Sequence, residues 1–218
     1  MTFDSTQGAN LGSGGPVDLV RGEGWAQVTF AINSILQLST PVFLRIDADA
    51  HEPLFIDFRH RAFVWSTDLI NFPADARNVS FETEPVSADA PPLFKLPGEG
   101  LDSLLWVLGQ NAYGGHPAPW LRPGERYRLA QWPNLTKHLH DMNQMHMLAV
   151  LGNGYFAAPE LAAAAGVPET KAHDLINALS LLRLLRVSEG MPAIIVPIEQ
   201  KEKSNPSLFA RLRARLGR

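Results

Sequence analysis

Two pairs of glycine and proline divide the C-terminal half of the sequence, and they constrain its fold more than any other feature. Residues 141–196 read DMNQMHMLAVLGNGYFAAPELAAAAGVPETKAHDLINALSLLRLLRVSEGMPAIIV. Gly152, Asn153 and Gly154 end a first helical pattern, because these residue types tolerate positive φ. Pro159 suits the first position of a second helix, Gly166 closes it, and Pro168 opens a third. The first helix is expected over Asp141 to Leu151, burying Met142, Met145, Leu148 and Ala149 at helical spacing. The third is expected to bury Leu175, Ile176, Leu179 and Leu182. Tyr155 and Phe156 read as a short strand. Arg186 to Ser188 read as another, with a turn at Glu189-Gly190 and a return strand over Met191 to Val196.

On these residues, ELAAAAGVPETKAHDLINALSLLRLLRV resembles the helix-turn-helix and first wing strand of the winged-helix superfamily seen in many bacterial regulators. The resemblance covers residues 141–196, about a quarter of the chain, and no family resemblance extends to the N-terminal half. It implies a winged helix. It does not imply one function, because winged helices serve both DNA and protein contact.

Charge separates those two uses. A DNA-reading third helix needs Lys, Arg, Asn or Gln on its exposed N-terminal face, with phosphate contacts nearby. That face here offers Glu169, Thr170, Lys171, His173, Asp174 and Asn177, so a single lysine stands against a pair of carboxylates. Residues 141–196 carry a net charge of -2, residues 1–140 carry -5, and residues 197–218 carry +4. DNA binding is therefore disfavoured, and Thr170, Lys171, His173, Asp174 and Asn177 are expected to contact a protein partner.

The N-terminal half reads differently. Residues 1–24 are rich in Gly, Ser, Asn and Thr and are expected to form a disordered leader. Their LGSGGP lacks the Lys-Ser/Thr ending of a phosphate loop. No charged segment followed by an apolar one marks a secretory signal there. WAQVTFAINSILQL, from Trp25, fits either a strand or a short amphipathic helix. Val42 to Ile46, Leu54 to Phe58, a run ending at Trp65, and Asn78 to Glu82 are expected strands joined by polar turns, which suggests an antiparallel meander. The proline-rich segment 85–98 reads as a connection. Residues 100–110 read as a helix with Leu101, Leu104, Leu105 and Leu108 near one face, and Tyr127 to Trp132 as a strand.

Four constellations invite chemistry. The tail NPSLFARLRARLGR sets Leu208, Phe209, Leu212 and Leu216 on one helical face and Arg211, Arg213 and Arg215 around it, fit for a partner groove or an anionic membrane surface. The plainer reading is a helix docked on its own domain. Arg59 and Arg61 could bind an anion, or could simply pair with Asp57 or Asp68. Asp47 and Asp49 after a strand would suit a metal-dependent hydrolase, but a parallel core would need a crossover helix next, and another strand follows. His138, His140, Asp141 and His146 match no metal-ligand template. The absence of cysteine excludes disulfides and thiolate chemistry. Trp106, Tyr113, Trp120, Tyr127 and Trp132 crowd the joint between the halves, where a small ligand would be sought.

The expectation is an α+β protein. It has a leader over residues 1–24, a β-rich domain with one helix over 25–125, a winged helix over 126–198, and a basic amphipathic tail over 199–218. The expected function is that of a non-catalytic, cytoplasmic regulatory or adaptor protein in a bacterial signalling or assembly system. It would need no cofactor, bind protein partners, and contact a membrane, if at all, through its tail. The alternative is a DNA-binding regulator with an N-terminal sensor domain. The Asp47/Asp49 hydrolase is a distant third.

Overall fold

The computed structural model describes residues 24–39, 41–134 and 141–189, as a mixture of helices and antiparallel sheet. Trp25–Leu38 resolves to a helix, α1, which buries Trp25, Val28, Thr29, Ile32 and Asn33 along one stripe. That spacing is helical and leaves no alternating face for a strand to present. Ser39 ends α1 at φ 53.

Behind α1 stand β1 (Val42–Ala48), β2 (Leu54–Asp57), β3 (Ala62–Val64), β4 (Val79–Pro85) and β5 (Glu99–Gly100). The order is β4-β1-β2-β3-β5, antiparallel throughout. The expected meander therefore holds only for β1 to β3. The connection 66–78 carries the chain back to the free edge of β1, and Phe72 anchors it 4.6 Å from the Trp25 ring. β1 alternates buried Val42, Leu44, Ile46 and Ala48 with more exposed positions, so one face of the sheet meets α1. β4 lies at the sheet edge and is exposed after its first residue.

α2 (Leu101–Asn111) was expected to bury one face. It instead buries Leu101, Leu104, Leu105, Trp106, Val107, Leu108 and Gly109, because it lies between two cores. Leu101, Leu104, Leu105 and Leu108 join Trp25, Ile46, Ile56 and Phe63 in the sheet core. Trp106 and Val107 join Leu148, Leu161, Leu175 and Leu179 in the helical core. Gly109 permits this: a Cβ there would lie 2.3 Å from the Cα of Ala178.

The helical half comprises β6 (Glu125–Leu129), α3 (Met142–Asn153), α4 (Ala158–Ala165), α5 (Glu169–Leu181) and β7 (Leu185–Glu189). Asp141 caps α3 reciprocally with Gln144. The expected burial of α3 is corrected: Met142 is 82% exposed and Ala149 is exposed, while Met147, Leu148 and Leu151 are buried. The helix also runs through Gly152 and Asn153, and Gly154 ends it with extended rather than positive φ. Gly166 does close α4 in the left-handed conformation, at φ 69. The short strand reduces to a bridge between Phe156 and Tyr127. β6 starts and stops earlier than expected, and pairs on β7 from Glu125–Glu189 to Leu129–Leu185. The return strand expected over 191–196 lies outside the described residues, as do the leader and the tail. Among the described residues no helix is long and apolar enough to cross a membrane.

Candidate functional site

Part of the face of α5 expected to meet a partner is held by the chain itself. Thr170, His173, Asn177 and Ser180 follow one another at helical spacing, and the segment after α2 lies along them. The Gly115 carbonyl lies 3.0 Å from His173 Nδ1. A carbonyl only accepts, so that nitrogen carries the proton. Asn177 has no exposed surface. Its Oδ1 accepts from the Ala118 N–H at 2.9 Å, and its Nδ2 donates to the His116 carbonyl at 2.8 Å. Trp120 Nε1 donates to Ser180 Oγ at 3.0 Å, and Ser180 Oγ donates to the Asn177 carbonyl at 2.8 Å. Gly115, at φ 83, lies so close that a Cβ would come within 2.6 Å of Thr170 Cβ. Asn177 is thus corrected from a contact residue to a buried clamp, and His173 and Asp174 are half-buried. Lys171 and Thr170 stay exposed, Lys171 pairing with Asp174 at 3.5 Å. Burial pushes the Asp174 carboxyl above its ordinary range, opposed by Lys171 and by the Gly115 N–H.

Beside this clamp a cleft of about 260 Å³ opens where α1, the 118–121 segment and the β6–β7 pair meet. α1 supplies Asn33 and Gln37, and the joint supplies Trp120 and Leu121. Leu185 and Val187 come from β7, with Arg183 just before it. Glu125 and Tyr127 form part of the wall, but Glu125 Oε2 is already committed, accepting from the Arg122 N–H and the Tyr127 hydroxyl at 2.9 Å each. Burial and that carboxylate both push the Tyr127 hydroxyl well above its ordinary pKa. Tyr113 packs edge-on against Trp120 at 5.7 Å and donates to the Ala26 carbonyl at 3.2 Å, tying the joint to α1. The aromatic joint is therefore real for Tyr113, Trp120 and Tyr127. Trp106 lies in the helical core, and Trp132 is 52% exposed beside Gly152.

Arg59 is corrected as an anion site. Its Nε and Nη2 clamp Asp57 at 3.1 and 2.8 Å, Nη1 donates to the carbonyls of Ser87 and Ala90 at 2.9 and 2.8 Å, and the guanidinium lies 4.8 Å from the Phe43 ring centre. Nothing of that fork remains for a ligand. Burial of Asp57 opposes its charge, but the hydrogen bonds and charge of Arg59 prevail and hold its carboxyl below the ordinary range. Arg61 is exposed and pairs with Asp102 at 2.5 Å, 41 residues along the chain.

Asp47 pairs with Arg45 at 3.0 Å, while Asp49, at φ 43, accepts from the Arg77 and Asn78 N–H groups and from Asn78 Nδ2. Asp47 thus lies within β1 and Asp49 in the turn after it, and both line one open cleft with Ala50, Asn78 and Ser80. Leu208, Phe209, Arg211, Leu212, Arg213, Arg215 and Leu216 lie outside the described residues, as do His138 and His140.

No family model, curated protein or solved structure matches this chain. Sequence reasoning missed Asn33, hidden inside a segment whose helical or extended state was undecided. It also missed Arg183, which a charged residue within LLRLLR could have signalled.

Proposed function

We propose that this protein is a non-catalytic regulatory or adaptor protein of a bacterial signalling or assembly system that binds protein partners. In this reading residues 126–198 are a winged helix used as a scaffold, supported by the order α3, bridge, α4, α5, β7. The observation that carries the proposal is the clamp on α5. Part of the stripe that would enter a DNA groove already binds residues 115–120 through Asn177, His173 and Ser180, while Thr170 and Lys171 at its N-terminal end stay exposed. Freeing it would strand a buried carboxamide, and leaving a buried polar group unpaired costs about 1–3 kcal/mol. The exposed edge strand β4, with Glu82 and Glu84, adds acidic surface suited to a partner and unsuited to phosphate.

The test combines a low-salt mobility shift on genomic DNA fragments with affinity capture by the full chain from native lysate. Weak, competitor-sensitive DNA retention together with one stoichiometric protein partner is expected. Tight, competitor-resistant DNA binding would overturn the proposal in favour of a transcriptional regulator.

A further inference from the structure

β4 ends the sheet, so one side of its backbone faces no other strand. The Asn78 carbonyl accepts from the Asp49 N–H at 2.9 Å, and the Pro41 carbonyl from the Val86 N–H at 3.1 Å. With the register of β1 on β4, these bonds fix the ladder: Ser80, Glu82 and Glu84 bond to β1. Val79, Phe81 and Thr83 therefore turn their N–H and C=O groups outward, and among the described residues no hydrogen bond meets them there. An open edge of this kind is a template for another extended segment.

The two faces of this edge differ in chemistry. Phe81 pairs with the buried Ile46, so it lies on the face that α1 covers, yet it stays 36% exposed. Glu82 and Glu84 lie on the opposite face and are exposed. Arg45, across from Glu82, is bonded to Asp47 at 3.0 Å, and neither glutamate has an ion pair among the described residues. Side chains alternate along a strand, and those opposite one another on neighbouring strands share a face. The edge thus complements a segment in which basic and apolar residues alternate.

This chain carries such a segment. Residues 210–216 read ARLRARL, in which Arg211, Arg213 and Arg215 alternate with Leu212, Ala214 and Leu216. Residues 205–218 hold 4 arginines and no acidic residue. Other occupants fit worse. Residues 1–23 carry 3 acidic groups against 1 basic one. A second copy pairing β4 on β4 along its full length would set Glu82 against its own counterpart, and like charges directly opposite repel. The 21 residues between Glu189 and Arg211 can span up to about 70 Å. A folded body of the described size has a radius of gyration of only about 15 Å, so β4 is within reach.

We propose that the free edge of β4 binds residues 210–216 of the same molecule. The outward groups of Phe81 and Thr83 bond to the backbone of that stretch, Glu82 and Glu84 meet its arginines, and Phe81 meets its leucines. The inference goes beyond the adaptor reading: the tail becomes an internal ligand that any partner taking β4 has to displace.

Hydrogen exchange on the full chain tests it, because the Phe81 and Thr83 amides owe any protection to whatever covers the edge. In the parent they are expected to exchange at least about tenfold more slowly than unprotected amides. Combining Arg211→Glu, Arg213→Glu and Arg215→Glu is expected to remove that protection, and adding Glu82→Lys and Glu84→Lys to restore it. The Ile46 amide, inside the sheet, is expected to stay slow in every variant and so to show that the fold is intact. Fast exchange at Phe81 and Thr83 in the parent would overturn the proposal, as would protection that survives the triple charge reversal. Protection that fades on dilution, with a dimer seen by light scattering, would also overturn it by assigning the tail to a second copy.

Discussion

At Asp57 a carboxylate with no exposed surface is kept charged by one arginine, and the acid limb of the stability curve is expected to record it. Its pKa is lowered in the folded state, so its contribution is complete above the unfolded carboxylate range, near about pH 4, and is lost as pH falls through the folded value. Asp57→Asn is expected to cost on the order of 3 kcal/mol at neutral pH, because Arg59 is left buried without its counter-charge. Urea titrations at stepped pH check this: below about pH 4 the variant's proton-linked slope is expected to be shallower than the parent's by the share of Asp57. A parent and variant of equal slope would refute it. Asn177→Ala is expected to cost about 1–3 kcal/mol by unpairing the His116 carbonyl and Ala118 N–H, measured by the same titrations. The pairing of Arg59 with Asp57 was legible in the sequence as the plainer of two readings. The clamp at Asn177 was not, since Asn177 looks like any polar residue on a helix face until residues 115–120 are seen upon it.

Among the elements, α5 and the segment after α2 behave as one unit. Hydrogen exchange is the direct probe: the Ala118 amide, in no helix or strand, bonds to a buried side chain and is expected to exchange as slowly as the amides of α5. In Asn177→Ala that protection is expected to fall while the middle of α5 keeps its own. Fast exchange at Ala118 in the parent protein would contradict the clamp. The boundaries of α4 and α5 were readable from Pro159, Gly166 and Pro168, because these residues act through local backbone preference. The return of β4 to the free edge of β1 was not, since strand order depends on burying the Val42, Leu44 and Ile46 face beneath α1, a choice made by distant partners. The same applies to α3. Its exposed Met142 follows helical spacing as well as Met147 does, and only the position of the neighbouring helices tells them apart.

For the whole molecule, α2 decides how the two cores behave together. Leu104→Ala empties space in the sheet core and is expected to cost about 2–5 kcal/mol. Gly109→Ala drives a methyl group into the backbone of α5 and is expected to cost about 1–3 kcal/mol or more. With α2 common to both cores, Trp25 in the sheet core and Trp106 in the helical core are expected to report one shared denaturation midpoint, in the parent and in both variants. Separate midpoints, read from single-tryptophan variants, would show the halves melting independently. Helix, sheet and connection were largely visible from residue patterns, but the double duty of α2 was hidden, because its polar residues sit at its two ends and its middle, Leu104 to Gly109, is buried throughout. That helix also sets where the gene can be cut. A fragment starting at residue 126 discards Trp106, Val107 and Gly109, and one ending at residue 98 exposes the sheet core that Leu101, Leu104 and Leu108 close. Neither half can be lent to another protein unless α2 travels with it.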